Sequence, residues 1–131
     1  MTDDIEYLDV DDLIGLAVTL LGDPPPVRDL GLLAAAAERP RASAFGEDAY
    51  PDRWTKAAAL LHSVAKNHPM VDGNKRLGWL GCAVFLDLNG IDPTGASNDD
   101  VYELVMVVAA EPIEVDDLAR RLERIVGATD R

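Results

Sequence analysis

Apolar residues recur every three to four positions along most of this chain, and that period predicts helices. "DDLIGLAVTLLG" sets Leu13, Leu16, Ala17, Leu20 and Leu21 on one face, with Asp9 placed to cap it and Gly22 to stop it. "PPPVRDL" reads as a stiff connector into the Ala-rich "GLLAAAAER", which Pro40 ends. From Pro40 to Pro51 the period is lost, as expected of an exposed loop or short hairpin. It returns in "DRWTKAAALLHSVAKN", with Trp54, Ala58, Leu61 and Ala65 in register. Pro69 disfavours helical geometry at His68, so this helix should finish near Asn67. "KRLGWLGCAVFLDLNG" is apolar nearly all round and is expected to be the buried central helix, ended by Asn89 and Gly90. A cap at Ser97 or Asn98 opens "VYELVMVVAAE". In "EVDDLARRLERIV" the stripe Val115, Leu118, Leu122 and Ile125 carries acids first and arginines later, as the helix dipole prefers. No segment reads convincingly as a strand. The expectation is an all-α bundle, one domain over residues 1–131, built around Lys75–Leu88.

Composition narrows the function classes. Hydrophobic residues make up 48% of the 131, enough for a packed core, and with aromatics at 5% aliphatic side chains must fill it. A formal charge of −12 argues against indiscriminate nucleic-acid binding, which rests on Lys and Arg meeting phosphates, and it suits a basic partner. The one cysteine, Cys82, lies in an apolar run and reads as a reduced, buried thiol; no disulfide or zinc framework is possible. No stretch reaches the ~18 apolar residues of a membrane span, and the acidic N-terminus does not resemble a signal peptide. The expected compartment is the cytoplasm.

The chemistry is concentrated in "NHPMVDGNKRLGW", Asn67 to Trp79. A loop entering the N-terminus of a helix aims several backbone N–H groups at one place, where the dipole favours an anion. Gly73 lets a phosphate approach the backbone closely. Asn74 offers a side-chain amide, Lys75 a point charge and Arg76 a bidentate fork. Asp72 beside them is a carboxylate of the kind that holds Mg²⁺, an ion that keeps several waters and takes one or two protein ligands. His68, at the far end of the loop, is the side chain able to accept a proton from an attacking hydroxyl near neutral pH. Asp-Gly-Asn is also ordinary turn chemistry, and a histidine before proline is commonly a plain loop residue; spacing alone leaves both readings open. His62, mid-helix with no carboxylate at metal-ligand spacing, reads as structural.

"HPMVDGNKR" closely resembles the signature of the Fic/Doc family, His-x-Phe-x-Asp/Glu-Gly-Asn-x-Arg. Lys75 between Asn74 and Arg76 is the form of the Doc (death on curing) branch. "RDLGLLAAAAERP", "AFGEDAYP", "KAAALLHSVAKNHP" and "AVFLDLNG" are similar to Doc-type sequence as well, so the resemblance spans most of the chain. It implies a Fic-fold bundle with His68 as catalytic base, Asp72 as Mg²⁺ ligand, and Gly73, Asn74, Lys75 and Arg76 as the turn that holds nucleotide phosphates. The segment from Pro40 to Pro51 falls where the family has the flap that docks a target segment by strand addition. By the same resemblance the chain is the toxin of a Phd/Doc-like toxin–antitoxin pair. It would be a kinase using ATP and Mg²⁺ to phosphorylate a protein hydroxyl, with elongation factor Tu as target, arrested translation as effect and a Phd-like antitoxin as restraint. The alternatives are an adenylyltransferase of the Fic type and a catalytically silent antitoxin-binding module. Adenylyl-transferring relatives carry Gly at position 75 and a second Arg three residues after Arg76, where this chain has Lys75 and Trp79. Met70 stands in place of the family's Phe. "SAFGED" (residues 43–48) is close to the family's autoinhibitory Ser/Thr-x-x-x-Glu-Gly/Asn motif, but it contains a glycine, ends in Asp and falls in the flap, so it reads as chance.

Overall fold

The computed structural model describes residues 4–127; the outermost ends of the expected 1–131 domain lie outside the described residues. Among these, six α-helices run in the order α1 (Val10–Leu21), α2 (Leu30–Glu38), α3 (Arg53–Asn67), α4 (Asn74–Leu88), α5 (Asn98–Ala110) and α6 (Val115–Val126), with a two-stranded hairpin between α2 and α3. The all-α expectation holds, with the flap segment as the short hairpin. Most helices start at the caps the sequence supplies. Asp9 and Asp12 exchange side-chain-to-backbone bonds at the head of α1, Asp52 and Thr55 do the same at α3, and Asp29 and Ser97 cap α2 and α5.

One helix is enclosed on nearly all sides, and it is α3 rather than the expected 75–88 segment. Its residues Thr55 to Leu61 are buried without a break, followed by Ser63, Val64 and Ala65. Three consecutive alanines, Ala57, Ala58 and Ala59, keep it slim enough for neighbours to close in all round. Helix α4 is its principal partner and is one-sided. It buries Leu77, Gly78, Cys82, Phe85 and Leu86 but leaves Lys75, Arg76, Asp87 and Leu88 exposed. Gly78 fixes that approach: a β-carbon there would stand 3.1 Å from Leu61 Cδ1. Cys82 is fully buried, and burial pushes its thiol pKa far upward, so it is inert packing. No helix among the described residues is long and apolar enough to cross a membrane.

Strands β1 (Ser43–Ala44) and β2 (Glu47–Asp48) pair antiparallel around a two-residue turn, Phe45 and Gly46, in which both φ are positive, as a tight hairpin of this twist requires. Phe45 is fully exposed at the tip. The hairpin is moored to the core by charge. Lys56 of α3 is 1% exposed, and its Nζ lies 3.2 Å from Asp48 Oδ2, 3.4 Å from the Pro40 carbonyl and 5.6 Å from the centre of the Tyr7 ring. A lysine so enclosed depends on that carboxylate. Asp48→Ala should therefore destabilise the fold by roughly 1–3 kcal/mol, because it strands the Lys56 ammonium. The double variant Asp48→Ala/Lys56→Met should recover much of the loss. Urea unfolding of the two proteins checks this; a single variant within about 0.5 kcal/mol of wild type would show that the pair carries no weight.

Candidate active site

Helix α3 ends where Pro69 predicts, and His68 takes up a left-handed conformation, φ 50° and ψ 59°. That region costs a non-glycine residue on the order of 1–2 kcal/mol, so something must hold it there. The holder is the connector before α2. Arg28 donates from Nε to the His68 carbonyl (2.7 Å) and from Nη2 to the Asn67 carbonyl (3.0 Å). The Arg28 and Asp29 amides both donate to the Pro69 carbonyl, at 2.8 and 2.9 Å, and the Val71 amide donates to the Pro26 carbonyl at 2.8 Å. Met70, 1% exposed, pins the loop from below. The His68 ring itself remains exposed. Arg28 was not legible as part of the site: an extended stretch after three prolines offers unpaired backbone groups, but nothing local says what they pair with.

Asn74 is turned inward. Its side chain is a clamp on Met70, accepting from the Met70 amide (2.9 Å) and donating to the Met70 carbonyl (3.0 Å). Those two bonds fix which end of the carboxamide is nitrogen, and that Nδ2 faces His68 Nδ1 at 3.4 Å. The contact is long, and it turns the Nδ1 edge of the ring towards Asn74. The anion-facing amide expected of Asn74 is thus spent on shaping the loop and orienting the histidine.

Gly73 precedes α4 at φ 85°, and the helix has no side-chain cap. Among the described residues the first-turn amides therefore have no side-chain partner, at a terminus where the dipole is positive. A β-carbon on Gly73 would lie 2.5 Å from Leu21 Cδ2 and 3.3 Å from an Arg76 guanidinium nitrogen, so this residue is demanded by backbone shape and by α1 below it as well as by openness above. Lys75 and Arg76 are both exposed and border a groove of about 270 Å³ whose other walls include Trp79, Val101, Tyr102 and Met106. Asp72 is exposed too, and one of its oxygens accepts from the Gly73 amide at 2.8 Å. Among the described residues no three acidic, His or Cys side chains gather as a metal cage. A single carboxylate with an oxygen to spare suits Mg²⁺, whose remaining ligands come from water and phosphate.

His62 lies outside this constellation. Its Nδ1 is 2.8 Å from Arg39 Nη1 and its Nε2 is 3.1 Å from the Ile113 carbonyl, which together fix the neutral, Nε2-protonated form.

The site therefore joins an exposed, oriented imidazole to an uncapped helix N-terminus flanked by two cations and a carboxylate. That layout belongs to enzymes and binding proteins that act on anionic, phosphate-bearing ligands. The Fic/DOC family pattern matches residues 7–86. The chain is also 42% identical over 124 residues, 94% of its length and 95% of the relative's, to a protein of Mycolicibacterium smegmatis named Toxin Doc. The chain belongs to the Fic/Doc family.

Burial, and after it the Arg39 charge, hold the His62 pKa below its ordinary value. The unfolded chain takes up this proton near pH 6.5 while the folded chain does not. The stability linked to His62 is thus complete above that pH and is lost as pH falls from about 6.5 towards the folded value. The expected result is a steeper drop in Tm between neutral and mildly acidic buffer for wild type than for His62→Gln. Parallel profiles for the two proteins would remove His62 from the acid response.

Proposed function

We propose that this protein is the toxin of a toxin–antitoxin pair and acts as a protein kinase of the Doc type, transferring the γ-phosphate of ATP to a hydroxyl of a protein target. The observation that carries the reading is the pairing of His68 with the uncapped start of α4 through one side chain, Asn74, which touches both ends of the loop. The 42% identity to a protein named Toxin Doc supports the toxin role. By family resemblance the target is elongation factor Tu, the effect arrested translation, the compartment the cytoplasm and the restraining partner a Phd-like antitoxin.

In this reading the α4 amides, Lys75 and Arg76 bind the phosphates, and the groove with Trp79 and Tyr102 receives the apolar face of the nucleoside. Asp72 holds Mg²⁺, which supplies neutralising charge for the phosphates when bound. The target hydroxyl oxygen bonds to the γ-phosphorus as the bond from that phosphorus to the β–γ bridging oxygen breaks. ADP departs with the electron pair, and the hydroxyl proton passes to the His68 ring. Transfer of this kind depends on positioning and electrostatics more than on covalent help from the protein, which is what a strapped loop and an uncapped helix end provide.

His68→Ala should keep the fold and nucleotide binding but lose about 10² to 10⁴ in transfer rate. Label from γ-³²P-ATP, followed on elongation factor Tu, measures it; a variant as fast as wild type excludes His68 as the base.

An adenylyltransferase is the rival, and Lys75 discriminates. A lysine here obstructs close seating of an internal phosphate on the backbone and places full charge where a terminal phosphoryl group gains most from it. Trp79 also occupies the position of a second phosphate-binding arginine in adenylyl-transferring relatives. Lys75→Gly should sharply reduce phosphorylation, and Lys75→Gly with Trp79→Arg should favour AMP addition. Intact-mass spectrometry of the target reads one phosphate against one AMP. AMP addition by wild type overturns the kinase, and no transfer combined with tight antitoxin binding points to a silent module.

A further inference from the structure

An open groove of about 720 Å³ runs between the end of α2 and the C-terminal half of α3. Its walls include Ala35, Glu38, Arg39, Arg41, Ser63 and Asn67. It extends from the base of the hairpin to the residue immediately before His68. Asn67, the last residue of α3, closes that end of the groove and is joined directly to His68.

Its electrostatics are unusual for so acidic a chain. Glu38 and Arg41 pair with each other at 3.5 Å. Arg39 is half-buried, and all its protein partners are neutral. Nε donates to the Tyr50 hydroxyl (2.9 Å), while Nη1 meets His62 Nδ1 (2.8 Å) and the Ser63 hydroxyl (3.0 Å). The guanidinium also lies 5.5 Å from the Tyr50 ring centre. Three of its five N–H groups are thereby used, which leaves the two on Nη2. Among the described residues no carboxylate comes within ion-pairing distance of Arg39. A half-buried guanidinium with an unused edge is a favourable partner for a carboxylate, and here the fold supplies none. Burial, and after it the Arg39 charge, hold the neighbouring His62 pKa below its ordinary value.

We infer that Arg39 is a specificity-determining residue: its free Nη2 edge binds an acidic side chain of the target segment as that segment lies in the groove. This rests on the reading above, that the chain modifies a hydroxyl of a protein. The geometry also sets the spacing. Arg39 is bonded to Ser63, five residues before His68, which is roughly 7.5 Å along the helix axis. An extended peptide covers that distance in two or three residues at about 3.3 Å each. The acid therefore sits two or three positions from the residue that carries the acceptor hydroxyl. Tyr50, His62 and Ser63 act through Arg39 as positioning residues that hold its edge towards the groove.

The experiment uses the full chain, labelled with ¹⁵N and free of nucleotide. It is titrated with a short capped alanine peptide bearing one threonine and, three positions away, one aspartate, and separately with the asparagine twin. The aspartate peptide should bind about tenfold more tightly, a difference of about 1.4 kcal/mol. It should shift the Arg39 Nε–H signal and the amides of Ala35, Ser63 and Asn67. Arg39→Gln, checked for native circular dichroism, should bind both peptides equally weakly. Equal affinity of the two peptides for wild type, no binding of either, or shifts confined to another face overturns the assignment. So does a folded Arg39→Gln that keeps the preference. If Arg39→Gln does not fold, the wild-type comparison decides alone. Because no nucleotide is present, a protein that fails to phosphorylate any target refutes the proposed reaction without touching this result.

Discussion

Helices α3 and α4 meet at Gly78, where the backbone of one comes close enough to the other for Leu61 and Val64 to occupy the space a side chain would fill. From that contact the geometry of the site follows. Two helices held so near each other, the first ending at Asn67 and the second beginning at Asn74, leave only six residues to reverse direction. A reversal that tight needs backbone in unusual regions, and the chain uses two: His68 at φ 50° and Gly73 at φ 85°. The apolar surface buried along α3 and α4, worth roughly 25 cal/mol per Å², is what keeps both in place. The strain is a consequence of the packing, and it sits at the two residues with most chemical significance.

A loop so constrained still has polar groups to satisfy, and the chain meets that need from two directions. The connector at residues 26–29 supplies amides and the Arg28 fork from one side, and Asn74 supplies both ends of its carboxamide from the other. Neither leaves a buried side-chain polar atom without a partner among the described residues. What is left over is selective. The His68 ring, the first-turn amides of α4 and one Asp72 oxygen face outward. A rigid interior with a few uncommitted polar groups at its edge is the arrangement that lets electrostatics act without reorganisation.

Much of this was legible in the sequence, and the limit falls where contacts stop being local. Caps at Asp9 and Ser97 and the stop at Gly22 are decided within a turn of helix, so the pattern finds them. The end of α3 at Asn67 follows from Pro69 alone. The grouping of His68, Asp72, Lys75 and Arg76 on one side of the molecule follows from a loop too short to separate them. Periodicity misjudged which helix is enclosed, because enclosure depends on how many neighbours can approach. The alanines of α3 invite that more than the larger side chains of α4. Arg28, Lys56 and Arg39 were invisible as determinants, since each acts across 8 to 40 positions of sequence. The sequence presents Asn74 as an amide for an anion because its inward partner, the Met70 backbone, is defined only once the loop has folded.

Met70 shows how the two levels combine. The family's signature has Phe at this position, and the side chain here is 1% exposed beneath the loop. A smaller, more flexible residue ought to hold the turn less firmly if side-chain packing alone did the holding. The Met70 peptide, however, is gripped at both its N–H and its C=O by Asn74, and its neighbours Pro69 and Val71 are bonded to residues 26–29. Backbone bonds do not depend on which apolar side chain hangs below them. The loop can therefore tolerate a change of packing residue at its centre while His68 and Asp72, on either side, stay where the helices put them.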